Sequence, residues 1–472
     1  MKETKEKKEK TLADKLREQL AYNPKNGGIT LTEDQIRRAY EFCDDYKEFL
    51  NAAKTEREAV AEAVRLAEIA GFVPFEKGRV YQAGEKVYRV NRGKALILAV
   101  IGSKPVSEGV RLAIAHIDSP RLDLKPNPLY ESDEIAMFKT HYYGGIKKYQ
   151  WTTVPLAMHG VIYLTDGSKL EVRIGEEEGD PQFCVTDLLP HLGRKQEKEP
   201  LATAIPAENL NILVGSLPIN EEKGSDLVKL NTLRLLHEKY GLVEADFLSA
   251  EIEFVPAAKA SDVGFDRSMI GGYGHDDRVC AYPALMAALT CNNPGHTAIT
   301  VLTDKEEIGS EGNTGLKSAY MQYFIYDLAD MQGVKGRDVL SASECLSADV
   351  NAAYDPTYSD VYEKRNSCYI NKGVVITKYT GAGGKSGTSD ASAEYMSRVR
   401  RLLDSRNVLW QIGELGKVDV GGGGTVAKFV ADLDVDTIDV GVPVLSMHAP
   451  WEIVAKIDVY MAYRAFYEFF LD

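Results

Sequence analysis

Apolar positions recur along this chain at two spacings, and their alternation predicts the architecture. Thr32-Glu33-Asp34-Gln35 has the form of a helix capping box, and Ile36, Ala39, Tyr40 and Cys43 continue from it at helical spacing. One long helix, or two in succession, is predicted to about Ala70, with Gly71 ending it. Ala95 to Ile101 and Arg111 to Ala115 are short apolar runs bounded by turn residues and read as buried strands. From about Leu122 to Val255 the texture changes to short alternating segments such as Gly160 to Leu164 and Leu170 to Ile174. A helix is predicted there over Leu227 to Tyr240 and a last strand over Glu251 to Val255, marking a β-rich insertion over residues 123–260. Beyond Gly271 helix and strand alternate again. Helices are predicted over 281–290, 318–331, 391–403 and 455–470, and strands over 297–302, near Ser347, and over 373–376, 408–412 and 442–446. Such alternation predicts an α/β layered sheet.

Composition narrows the functional classes. The 472 residues are too many for one ordinary core and suggest two or three domains. With 44% hydrophobic and 27% charged residues the chain has the balance of a soluble globular protein, and a net charge of −14 disfavours nucleic acid and anionic membranes as partners. The six cysteines are scattered without C-x-x-C spacing, against a zinc ribbon or a disulfide framework. Met1 to Lys10 is rich in lysine and glutamate and does not read as a signal peptide, and no run approaches the roughly 18 apolar residues of a membrane span. The expectation is a cytoplasmic protein.

Candidate chemistry gathers where apolar runs end. Thr297 to Leu302 runs into Thr303-Asp304-Lys305-Glu306-Glu307-Ile308-Gly309-Ser310, and a strand ending so would send the two glutamates in opposite directions, one toward a metal and one toward water. His116 follows the run Arg111 to Ala115, Asp276 precedes a helix, Asp349 lies in Ser347-Ala348-Asp349, and His448 follows the run 442–446. A lone His or Asp at a strand end is usually a satisfied structural group or a helix cap; five such connections together are a stronger sign, because ligands of open α/β sheets collect at strand ends. Two imidazoles and three carboxylates suit two divalent ions, one carboxylate bridging them; zinc fits the mixed N/O set, and manganese or cobalt would also accept it. Asp118, two residues after His116, is suited to orient that imidazole. Gly384-Lys385-Ser386 has part of a phosphate-loop pattern, but Tyr379 stands where that pattern requires glycine.

Together these motifs resemble the M18 aminopeptidases, the aspartyl aminopeptidase family of di-metal zinc peptidases. The resemblance rests on Ala115-His116-x-Asp118-Ser119-Pro120, the Asp276-Asp277-Arg278 segment, Glu306-Glu307-x-Gly309-Ser310-Glu311, Ser347-Ala348-Asp349 with Pro356 and Tyr358, and Met447-His448, in order over about residues 90–460. It implies a catalytic α/β metallopeptidase domain built from 1–122 and 261–472, interrupted by a β-rich dimerisation domain at 123–260. It implies that His116, Asp276 and Asp349 hold one ion and Asp276, Glu307 and His448 the other. Glu306 would be the general base, with a metal-bridging hydroxide attacking the scissile carbonyl to release N-terminal residues, acidic ones in the type members. The resemblance further implies a homo-oligomer, a tetrahedral dodecamer enclosing its active sites. Lys378 matches the position that pairs with an acidic first side chain, and a solvated lysine is the plainer reading; Lys385 is close to it in sequence. The chain departs from the pattern at Gly144 to Trp151, which has no histidine, at Gly421-Gly422-Gly423-Gly424-Thr425, and at Ala352. These changes fall around the substrate, not the metals, and leave the preferred residue open. A related di-metal amidase or dipeptidase, or a non-catalytic shell protein, are the competing readings.

Overall fold

The computed structural model describes residues 10–221 and 223–472, so nearly all of the lysine- and glutamate-rich start lies outside the described residues. The first long helix comes as two. Glu33–Ala52 begins at Thr32, whose hydroxyl accepts the Gln35 N–H while the Gln35 side chain accepts the Thr32 N–H, and Glu56–Ile69 starts with the same arrangement between Thr55 and Glu58. A capping box in mid-sequence forces a break, since Thr55 is extended.

The central sheet has nine strands, in the order Val73–Pro74, Lys86–Asn91, Ala95–Val100, Ala298–Thr303, Arg111–His116, Glu344–Ser347, Asp436–Gly441, Val374–Thr377 and Trp410–Ile412. Its middle four, Ala298–Thr303, Arg111–His116, Glu344–Ser347 and Asp436–Gly441, are mutually parallel. Ala95–Val100, Arg111–His116 and Ala298–Thr303 are buried at every position, as strands sandwiched between helices must be. One face packs against Glu33–Ala52, Glu56–Ile69, His275–Thr290, Ala393–Ser405 and Lys456–Leu471; the other against Tyr320–Met331, Gly336–Ser341 and Ala427–Ala431. The four parallel strands therefore bring Thr303, His116, Ser347 and Gly441 to one edge.

A second sheet of seven strands is drawn entirely from the chain between Arg121 and Pro256, with the helix Leu227–Tyr240 contributing to its core. It contains a long hairpin, Arg121–Ser132 paired with Ile135–Tyr143, that the apolar pattern does not reveal. Pro126 and Pro128 interrupt the first strand where its register shifts between Leu124 and Leu129.

Two sequence expectations change. The run 442–446 does not belong to the central sheet: Pro443–Leu445 sits in a five-stranded sheet beside Glu452–Ala455, and the neighbouring Asp436–Gly441 takes the central place. Asp436 and Asp439 hide that strand by breaking its apolar run. The glutamate pair is also not a strand end. Glu306–Ile308 forms a single 3-10 turn, entered through Lys305 at φ 67° and left through Gly309 at φ 94°. Both glutamates are thus presented by a tight turn, not by strand alternation.

Candidate metal centre

The parallel strand edge assembles all five ligand-type residues. His116, Asp276 and Asp349 form one group and Asp276, Glu307 and His448 another, the candidate atoms of each lying within 4.8 Å of one another. Asp276 belongs to both. Its Oδ1 is 3.1 Å from His116 Nε2 and its Oδ2 is 3.2 Å from His448 Nε2. His116 Nε2 stands 3.9 Å from Asp349 Oδ1, and His448 Nε2 stands 3.5 Å from Glu307 Oε1. Ligands about 2.0–2.2 Å from one tetrahedral zinc lie about 3.3–3.6 Å apart, so the two groups come close to the spacing of two three-ligand sets sharing a carboxylate, each with a position left open.

Each ligand-type residue is fixed from behind. His116 closes a strand, and its Nδ1 lies 3.0 Å from the Asp118 carbonyl oxygen, with the Asp118 carboxylate farther off at 3.4 Å. The expected partner of the imidazole is thus chiefly the Asp118 backbone. The Asp118 carboxylate serves the glutamate turn instead: Oδ1 accepts the Glu306 N–H at 3.1 Å, and Oδ2 accepts the Glu307 N–H at 3.2 Å and the Tyr143 hydroxyl at 2.8 Å. The Asp276–Asp277 peptide is cis; the Asp276 carbonyl accepts from Ser119 Oγ at 2.6 Å, and Arg278 Nη2 donates to the same Ser119 oxygen at 2.9 Å. Arg278 also donates to the Ala53 carbonyl at 2.7 Å, tying the site to the break between the first two long helices.

Glu452 was not foreseen from sequence. Its Oε2 accepts the Asp276 N–H at 3.1 Å and its Oε1 the His448 N–H at 2.7 Å, so one buried carboxylate aligns two residues far apart in the chain. A lone acid four residues after His448, in an otherwise apolar stretch, was the available signal. The Gly145 carbonyl, equally unforeseen, lies 2.7 Å from His448 Nδ1 and sets which ring nitrogen faces Asp276.

The electrostatics are those of concentrated negative charge. Burial pushes Glu306 up to about 7, with Asp118 and Asp276 adding to it and His116 and His448 opposing. Glu307 and Asp349 are driven well above the carboxylate range, first by burial and then by Asp276 and Asp277 respectively. His448 rises to about 10: burial would lower it, but Asp276 and Glu307 outweigh that. His116 is likewise raised against its burial, by Asp118 and Asp276. Asp276 Oδ1 and Glu307 Oε1 are buried and find no hydrogen-bond partner of good geometry, although imidazole nitrogens stand nearby. Buried carboxylates and imidazoles that crowd together without mutual hydrogen bonds are what a divalent cation satisfies, and this N/O set fits zinc.

Lys378 is not brought into this cluster. It follows the strand Val374–Thr377 and pairs with Asp390 Oδ1 at 2.6 Å, while Lys385 takes the other oxygen of that carboxylate at 3.0 Å. The glycine-rich stretch bearing Thr425 reaches the centre's margin through Asp439, whose Oδ2 accepts the Thr425 hydroxyl at 3.1 Å. Beside His448 opens a cavity of about 510 Å³ walled by Ile146, Tyr149, Tyr358, Tyr362 and Met447. The chain that departs from the family pattern at Gly144 to Trp151 forms one side of it.

The sequence matches the model of the family described as "Aminopeptidase I zinc metalloprotease (M18)" over residues 49–470. A probable M18 family aminopeptidase 1 of Clostridium acetobutylicum is 49% identical over 444 residues, covering 92% of this chain and 96% of the relative. The crystal structure of an M18 aminopeptidase from Thermotoga maritima superposes with a TM-score of 0.91 at 44% identity, covering 95% of this chain and 99% of that one. The fold extends to the mApe1 dodecamer of S. cerevisiae, at 21% identity and a TM-score of 0.74 over 93% of this chain and 97% of that one. No helix among the described residues is long and apolar enough to cross a membrane. On the family match and the identity to these relatives, the chain belongs to the M18 aminopeptidases, a family of zinc metalloproteases.

Proposed function

We propose that this aminopeptidase works with two divalent ions, zinc in the first instance, held by His116, Asp276 and Asp349 and by Asp276, Glu307 and His448. The observation that carries the reading is the placement of Asp276, with one carboxylate oxygen in each group. Bound zinc supplies Lewis-acid polarisation of a carbonyl and makes an attacking water more acidic. Glu306 is the general base: its carboxylate accepts the proton of the water that attacks the scissile carbonyl and returns it to the departing amine nitrogen. Burial raises this carboxyl to about 7 in the metal-free site, the direction that favours such an exchange. Asp118 keeps Glu306 and Glu307 in register through their N–H groups, and the substrate's free α-amine would sit against one of the ions and the carboxylates beside it.

The cavity beside His448 takes the peptide, its lining joining Ile146, Tyr149, Tyr358 and Tyr362 to Lys147, Gln150 and Asp355 and so favouring no single class of side chain. Lys378 is held in an ion pair with Asp390 and offers no free cation to an acidic side chain, so acidic selectivity is weak. Residues 123–260 form the dimerisation domain, interrupting a catalytic domain of 1–122 and 261–472. The chain is cytoplasmic and forms a homo-oligomer, a dodecamer by analogy with the mApe1 structure and tetrahedral as the family resemblance implies.

Peptide-cleavage profiling with metal analysis of the same sample tests this. Single N-terminal residues should be released from free but not N-acetylated peptides, with two zinc ions per chain. Cleavage of N-acetylated substrates would point to a related amidase. An assembled, zinc-loaded protein that cleaves neither peptides nor aminoacyl-p-nitroanilides would support the non-catalytic shell.

A further inference from the structure

The insert reaches the base as well as the cavity. Its second hairpin strand ends at Tyr143, which is 9% exposed, and the next two residues meet the ligand groups directly. A Cβ on Gly144, whose φ is +73°, would stand 3.0 Å from Glu307 Oε2, and the Gly145 carbonyl contacts His448 Nδ1. Only the Tyr143 side chain extends beneath the glutamate turn, where its hydroxyl donates to the same Asp118 oxygen that accepts the Glu307 N–H.

The ring has little freedom. Tyr143 pairs across the hairpin with Arg121, whose guanidinium lies 3.9 Å from the ring centroid. Arg121 is in turn fixed by Asp123 at 2.8 Å, Glu253 at 3.2 Å and Glu56 at 3.4 Å, carboxylates of the insert and of the helix Glu56–Ile69. The series Arg121, Tyr143, Asp118, Glu306 therefore crosses from the inserted sheet to the edge of the central one through contacts that are each directional.

We infer that Tyr143 is a positioning residue for the reaction: by donating to the Asp118 carboxylate it holds the Glu306–Glu307 turn in its working position. It touches neither substrate nor metal ligand through its hydroxyl. A buried tyrosine that merely satisfies its own hydroxyl would affect stability. A positioning residue affects turnover in enzyme that is folded and loaded with metal. The inference rests on Glu306 acting as the base, a reading that fails separately if Glu306→Gln keeps its activity.

The test is Tyr143→Phe in the full-length, zinc-loaded protein, assayed with a leucyl or alanyl p-nitroanilide alongside zinc content and thermal melting. The expected result is a kcat lower by about tenfold or more, with KM and zinc stoichiometry unchanged. Combined with Asp118→Asn, the Phe variant should cost little beyond Asp118→Asn alone, since the Tyr143 hydroxyl acts on the turn through that carboxylate. Unchanged kcat, a loss confined to KM, or losses that multiply in the double variant would overturn the inference. Should Tyr143→Phe not fold, Arg121→Lys, which loosens the ring and keeps the hydroxyl, carries the test: lowered kcat with zinc retained supports the inference, and wild-type kcat overturns it.

Discussion

Glu452 offers a test of the site that does not depend on which residue performs the chemistry. Replacing it by glutamine keeps the shape but turns one of two accepting oxygens into an NH2 group, which must then face the N–H of either Asp276 or His448. A buried donor left without its acceptor costs about 1–3 kcal/mol, and at about 1.4 kcal/mol per factor of ten this corresponds to roughly 5- to 150-fold. The cost belongs mainly to metal binding. The bound state requires both Asp276 and His448 in place, which is where the donor clash is felt. Zinc affinity measured by chelator competition should therefore weaken by about one to two orders of magnitude, in line with the roughly 10- to 100-fold seen when outer hydrogen-bond partners of metal sites are removed. Zinc affinity within about twofold of wild type, with only a lowered melting temperature, would show that Glu452 serves folding and does not align the ligands.

The protons held by the metal-free site give a second prediction. His116, Glu307 and Asp349 are shifted toward their protonated forms and His448 is raised to about 10, so zinc uptake must expel protons, and affinity should climb as pH rises toward about 10. Calorimetry in buffers of different ionisation enthalpy measures the release; a flat profile would refute it. In the metal-free protein Glu306 rises from 4.5 unfolded to about 7 folded, with Asp439 raised to about 7 and Asp458 to about 8 in the same direction. The Glu306 contribution to stability is complete below about 4.5 and is lost as pH rises through about 7, so thermal melts of the metal-free protein should worsen across this window, and zinc should lessen the trend. Asp390→Asn frees Lys378 and Lys385 from a shared carboxylate and should raise kcat/KM for aspartyl over leucyl substrates by about two- to fivefold, the scale of one exposed ion pair. An unchanged ratio would remove Lys378 from the substrate's surroundings.

Much of the fold was legible because buried parallel strands and amphipathic helices leave strong periodic marks. The helix Leu227–Tyr240 and the runs before His116 and Glu306 stand out in the sequence as they do in the structure. Legibility failed where polar residues enter the core with partners of their own. Asp439 accepts from Thr425 inside a central strand, and Pro126 and Pro128 sit in a hairpin whose register shifts around them. At the site, residues at strand ends could be found by type, since few structural roles gather two imidazoles with three carboxylates. The groups that aim them could not. Glu452 acts on two backbone N–H groups, Gly145 through a carbonyl, and Tyr143 from a sheet whose strands pair only in three dimensions. The same limit applies to the glutamates, whose separate directions come from a 3-10 turn entered through a left-handed lysine.

The division of roles between those glutamates is the central claim, and Glu306→Gln tests it most directly. The amide keeps the volume and the backbone N–H that binds Asp118, but it cannot take a proton. Turnover of an aminoacyl-p-nitroanilide and zinc content, measured on one preparation, should show kcat lower by about 10²- to 10⁴-fold with the full complement of zinc and a KM close to wild type. Activity near the wild-type level, or a loss of turnover that follows a loss of zinc, would contradict the assignment of Glu306 as the base.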